Sequence, residues 1–462
     1  MIKMIMVILL LLLSPTYLWA ACDVSGRPNI IPASNSLADV AACVAVLQNN
    51  DVIQIPAGTG TVTWATGLDA SFSGNMTIKG PGKDSLTITS TVTDANSIFL
   101  SSTGSYTQRV TGFTLTHSCA SSNMSGIQVY SSNRSTKFRI DNMTINTSTP
   151  RPPVIFHHAY GLVDHCTFNK TSNTGQAFTY EGDPDDYTGA VSLGVDQGQN
   201  QLYIENCEFN NDVGEPADGL DFYTGARVVL RYNDFNNTAM GNHGNDSSSP
   251  FPSTTSMEVY NNNIIAGGLK NIRGGTGVFY NNIVSDGGAF VLSLYRACYH
   301  VPSSEWGTDV GDGGAGAADD YVTTGQPGSS PGVDNLGKTS APVYEWNNCK
   351  VAGCSDGDAN DVGFSLNDFV GSLGGCAANK GDIYIPSYFM REDRDYFNNT
   401  EMPDYTAYQF PHELDTEHAG WVLTSADCVG SACLEAPSGC QTTHGATGST
   451  VYSGSGSSTI YQ

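Results

Sequence analysis

Positive charge is what this sequence has least of. Its 462 residues carry 20 Lys and Arg against 45 Asp and Glu, a formal net charge of −25, and only 14% of the chain is charged. That balance argues against a nucleic-acid partner, because binding phosphates takes a basic surface. An acidic polymer is repelled as well, unless a bound cation or a local group of Arg and Lys reverses the field. Helical periodicity is nearly absent after residue 50. C-x-x-C pairs and neighbouring histidine pairs of zinc-binding spacing are missing, so the twelve cysteines read as disulfide formers. Two-residue hairpin turns are scarce too, which counts against an antiparallel sandwich.

What is present begins with an N-terminus, MIKMIMVILLLLLSPTYLWAAC, in which one lysine precedes an apolar run and then small residues. This predicts a signal peptide over 1–21 and a secreted or periplasmic mature protein. The uncharged run Met4 to Leu13 is too short to span a bilayer. The same stretch resembles a lipoprotein box, a second reading that would anchor the chain to the cell surface through a lipid on Cys22. An exported chain with an even cysteine count suggests disulfides, with the pairing open. Cys166 and Cys207 hold similar places in successive repeats and read as small apolar residues stacked in a core.

Six segments share one pattern: FRIDNMTI at 138, GLVDHCTF at 161, LYIENCEF at 202, VVLRYNDF at 228, MEVYNNNI at 257 and GVFYNNIV at 277. Each follows a second short apolar run: GIQVY, VIFHH, AVSLGV, LDFY, AMGNH or LKNIR. The repeat reads as strand, turn, strand, turn, with Gly, Asn and Asp at the corners. It predicts an all-β fold, a single-chain right-handed parallel β-helix with corner asparagines in hydrogen-bonded ladders. The amphipathic stretch 36–51, with Leu37, Val40, Cys43, Val44 and Leu47 on one side, predicts an N-terminal capping helix within a cap over about 22–60. The β-helix domain is expected over 22–440. A Gly- and Asp-rich loop insertion is expected over about 303–342, and a flexible tail over 441–462.

If LDFY, AMGNH and LKNIR lie in successive coils of one sheet, Asp221, Tyr223, His243, Lys270 and Arg273 line a single groove, which Tyr295 and Arg296 continue. Such a row of aromatics, cations and carboxylates suits a polysaccharide chain; a solvated sheet face has the same composition. Arg273, in IRGGTGVFYNNIV, has two readings. It could neutralise a substrate carboxylate, or cap a turn through backbone carbonyls. Lys270 or His243 could serve as base and Tyr295 as acid. Tyr223, Arg231 and Arg296 are candidate substrate contacts, with Arg231 alternatively paired to Asp234 or a ladder neighbour. Asp221 and Asp246 are the carboxylates available for inverting hydrolysis.

GLVDHCTF resembles the W-I-D-H-C-[ST]-[FL] stretch of pectate lyases, and DGLDFYTGARVVLRYNDF resembles their D-G-L-x-D segment. LKNIRGGTGVFYNNIV resembles their R-x-R-x-G-x-x-H-x-x-N-N stretch. The resemblance implies Asp218 and Asp221 as calcium ligands, a set to which we add Asp246, and Arg273 as the substrate-binding arginine. Gly268 stands where that family has its proton-abstracting arginine. Residues 190 to 415 also resemble a group of exported bacterial β-helix proteins, through RYNDFNNTAMGNHG, IRGGTGVFYNN, PVYEWNNC and YTAYQFPHEL among other landmarks. We read the last of these as part of a C-terminal cap. The combined expectation is an exported monomer that binds an extracellular polysaccharide and cleaves it as a uronic-acid lyase, with no organic cofactor. The alternatives are a hydrolase and a non-catalytic adhesin, carbohydrate-binding spike or filament subunit.

Overall fold

Strands of three to five residues in which every second side chain is apolar can bury one face only by stacking on copies of themselves. The computed structural model does this with three long parallel sheets of thirteen, nine and ten strands. It describes residues 22–118, 125–131, 135–149, 152–171, 176–182, 193–194, 201–211, 217–243, 254–266, 268–285, 287–293, 329–330, 339–351, 356–357, 359–366, 390 and 392–417. The expected signal peptide, most of the 303–342 insertion and the 441–462 tail lie outside these residues. So do Tyr295, Arg296 and Asp246, and the side chains of Asp218 and Lys270.

The fold is a parallel β-helix. A representative coil runs Lys137–Asp141, Thr144–Thr147 and Val154–His157, one strand in each sheet, and the next runs Tyr160–Asp164, Thr167–Lys170 and Phe178–Glu181. There are thus three strands per coil where the repeat predicts two. The corner inside FRIDNMTI is only two residues long, so two strands read as one run. Its first residue, Asn142, is left-handed (φ 51°), as are His165, Asn206, Tyr232, Asn261, Asn281 and Asn347 at the equivalent corners, with φ between 51° and 59°. Asparagine tolerates this conformation better than most residues, which is why the corners are rich in it. A second difference concerns AVSLGV. The strand that precedes LYIENCEF in the ten-stranded sheet is Phe178–Glu181, and Leu193 and Gly194 are not in a strand.

Register confirms the repeat closely. Ile145, Phe168, Phe209, Phe235, Ile264 and Val284 pair in one unbroken file. All six are 0–1% exposed, and the three phenylalanines stack with centroids 4.6 and 5.1 Å apart. Beside this file runs a buried asparagine ladder. The Asn233 backbone N–H donates to Asn262 Oδ1 (3.0 Å), Asn262 to Asn282 Oδ1 (3.1 Å) and Asn282 to Asn348 Oδ1 (3.1 Å). Cys166 and Cys207 precede the asparagines in the series. They are free thiols, buried, and each donates to a backbone carbonyl.

The helix Leu37–Val44 caps the first coils, with Val40 and Cys43 fully buried and Ser36 accepting from the Asp39 amide. It ends earlier than the amphipathic stretch suggests, because tight bonds from Val46 to Cys43 and from Leu47 to Val44 close the last turn. Cys22 is bonded to Cys43. Its thiol is therefore spent on the cap, which corrects the lipid-anchor reading, and a disulfide here fits an oxidising compartment. Among the described residues no helix is long and apolar enough to cross a membrane.

YTAYQFPHEL does not cap the end. Residues 402–417 form a strap that runs back along the outer face of the thirteen-stranded sheet. Tyr405 donates to Glu258 (2.6 Å), Arg231 donates to the Tyr408 and Gln409 carbonyls (2.6 and 2.8 Å), and the His412 amide donates to Glu205. Arg139 donates to the Leu414 carbonyl and pairs with Asp415, while Glu417 pairs with Arg139 and Arg109. The five contacted strands lie within a run of six successive neighbours in the sheet.

Titration of the strap has a definite sign. Burial pushes the Asp164 and Glu417 carboxyls up, but bonds from His165 and Arg139 in the first case and from Arg109 and Arg139 in the second hold both below the ordinary range. The bond from Lys137 does the same for Glu413. Their stabilisation is present above the ordinary carboxylate values and is lost as pH falls through the depressed ones. Burial lowers His165, yet the bond to Asp164 outweighs it and raises the group. That contribution is present below the ordinary histidine value and is lost as pH rises through the raised one. Amide-exchange protection of 402–417 should therefore disappear before that of the coils on acidification below about pH 4. Uniform loss across the chain would contradict this.

Candidate functional site

The segments expected to line a groove lie in the ten-stranded sheet. Asp221 pairs with Gly241, which pairs with Asn271, so LDFY, AMGNH and LKNIR do occupy successive coils. This sheet is in regular register through its earlier strands and then slips three times running: between Asp218 and Leu220, between Met240 and Gly241, and between Leu269 and Ile272. Bulges re-aim side chains, and they are common beside active sites. Lys270 is skipped at the second slip.

At these bulges Asp221, Tyr223 and His243 come together, and Arg273 is bonded to Asn242, the residue before His243. His243 Nε2 lies 3.0 Å from Asp221 Oδ1, and the Gln176 amide donates to Asp221 Oδ2 at 3.1 Å. The Tyr223 and His243 rings are 5.4 Å apart. Asp221 is nearly buried, whereas the His243 side chain is 27% exposed. The result is a carboxylate fixed from two sides that holds a reachable imidazole in one orientation.

Arg273 is first of all an anchor. Its amide donates to Asn242 Oδ1 (2.6 Å) and its Nε to the Asn242 carbonyl (2.7 Å), while Asn242 Nδ2 returns a bond to the Gly274 carbonyl (2.8 Å). Gly275 completes the turn at φ 79°, where a Cβ would come within 2.5 Å of the Thr254 carbonyl. The turn-capping reading is thus realised, and it fixes the partly exposed Arg273 side chain beside Asn242.

Arg231 is corrected. It is fully buried under the strap, with Nε 2.8 Å from Glu205, its ladder neighbour, and a second bond to Tyr260 Oη at 2.9 Å, so it is no substrate contact. Two other residues on the ten-stranded sheet, Glu181 and Tyr130, were missed. Glu181 pairs with His157 Nδ1 at 2.6 Å, each side chain about one-fifth exposed, and Tyr130 sits one strand further on. FTYEG and LDFYTG share an F/L-x-Y/F pattern before glycine, a signal that would have placed Glu181 beside Tyr223 in register.

Of the expected calcium ligands, only Asp221 has its side chain among the described residues. Each oxygen of Asp221 already accepts from a nitrogen donor, whereas calcium asks for six to eight oxygens. The one described trio of ligand-type side chains, Asp164, His165 and Asp415, is elsewhere, and Arg139 Nη2 sits 2.8 Å from both acids in the place of a cation. A cavity of about 320 Å³, lined by Asp51, Arg109, Arg139 and Glu413, likewise lies at the strap's end and away from these residues.

Fold and site define a parallel β-helix with an open polar face on one sheet. Searches of family models, curated proteins and solved structures give no match to this chain.

Proposed function

We propose that this protein binds an extracellular polysaccharide along the ten-stranded sheet and cleaves it at a uronic acid residue by β-elimination. The observation that carries this reading is the run of three bulges that brings Asp221, Tyr223, His243 and Arg273 to one stretch of an otherwise regular solenoid. Arg273 neutralises the uronate carboxylate and so stabilises charge developing at C5. His243, oriented by the contact of its Nε2 with Asp221, takes the C5 proton on its imidazole. The C4–O bond then breaks, and the Tyr223 hydroxyl gives its proton to the departing oxygen.

The test is ultraviolet absorbance of the unsaturated product from a panel of uronate-containing polymers. His243→Ala should slow its appearance by about 10²- to 10⁴-fold, the usual worth of a general base, with the melting temperature unchanged. Asp221→Asn should slow it by about tenfold or more through loss of orientation. Absence of product from every polymer, with sugar binding retained, would replace the enzyme by a binding protein.

A further inference from the structure

The polar face does not end at the catalytic group. Tyr130 pairs with His157, His157 with Glu181, and Glu181 with Tyr223, so these side chains form one file that runs on to His243 and Arg273. At about 4.8 Å per strand the file places Tyr130 roughly 14 Å from Tyr223, with Glu181 between them. All of these side chains are partly exposed. The charges along the file are ordered. A guanidinium stands at one end, the carboxylates of Asp221 and Glu181 hold the middle, and an aromatic ring stands at the other end.

We infer that the polymer taken by this face is a mixed one, uronate interspersed with neutral or amino sugars, lying along the solenoid axis with uronate at Arg273 and a non-anionic sugar at Glu181. The inference rests on the saccharide reading given above. A pure polyuronate threaded along the file would set a carboxylate against Glu181, a side chain 21% exposed that pairs with the His157 imidazole, and the overall charge of −25 adds to that repulsion. A hydroxyl accepts or donates there freely, and an ammonium is attracted. Tyr130 and Tyr223 offer ring faces on either side of it, on which sugar rings stack by their apolar faces.

The experiment compares binding and cleavage of three polymers, a homopolyuronate, a uronate–hexosamine copolymer and a neutral glucan, by wild type, Glu181→Gln and Tyr130→Ala. Wild type should favour the copolymer over the homopolyuronate by about tenfold, the effect of one partly exposed charge at a few Å. Glu181→Gln should erase most of that preference by improving the homopolyuronate while leaving the melting temperature in place. Tyr130→Ala should weaken long oligosaccharides and spare those too short to span from Arg273 to Tyr130. A wild type that prefers the homopolyuronate, or a preference untouched by Glu181→Gln, overturns the inference while the cleavage reading stands. Failure to bind or cleave any of the three overturns both.

Discussion

Arg231→Ala is expected to destabilise the protein by about 3–5 kcal/mol, the cost of leaving a buried partner charge uncompensated. Glu205 is that partner. Burial already pushes its carboxyl up against the opposing pull of Arg231, and both side chains are essentially inaccessible. The guanidinium also carries the Tyr408 and Gln409 carbonyls and packs near the Tyr203 and Phe410 rings, at 5.1 and 5.3 Å. Its loss should therefore release the middle of the strap. Urea titration gives the magnitude, and limited proteolysis should cut between 402 and 417 first. Recovery of much of the loss in Arg231→Met with Glu205→Gln is part of the expectation, since removing both charges leaves none stranded. A loss below about 1 kcal/mol in the single variant would mean that strap and sheet are independent.

Asn262→Ala should cost about 2–5 kcal/mol. Its side-chain oxygen accepts from the backbone and side-chain nitrogens of Asn233, and its nitrogen donates to the Leu230 and Tyr260 carbonyls and to Asn282 Oδ1. Alanine leaves several of these groups buried and unsatisfied at about 1–3 kcal/mol apiece, with partial relaxation. Asn233→Cys, which mimics Cys207 one coil earlier, should cost less, because a thiol is evidently accepted at this station of the file. Denaturant midpoints at unchanged slope would measure both effects, and equal losses would refute the ladder's role.

Much of the architecture was legible because a solenoid repeats its own evidence. The file from Ile145 to Val284 could be read residue by residue, and so could the ladder, since both depend on period and corner chemistry alone. The third strand of each coil was hidden by a two-residue left-handed corner, which composition does not distinguish from strand interior. At the site, Asp221, Tyr223, His243 and Arg273 were found because their segments align in sequence. Glu181 was missed because AVSLGV stands nearer to LYIENCEF and is equally apolar. Arg231 was misassigned for a different reason: the strap that buries it lies 177 positions away, and nothing local announces it.

That distance has a wider consequence. In a bare solenoid each coil touches only its neighbours, so stability is a sum of local terms and the ends can fray separately. The strap joins Arg139 to Glu417 across 278 positions and Tyr405 to Glu258 across 147. It couples early coils to late ones. The stack should thus melt more nearly as a single unit than its repeats alone would dictate, and fold more slowly, since the longest loops close last.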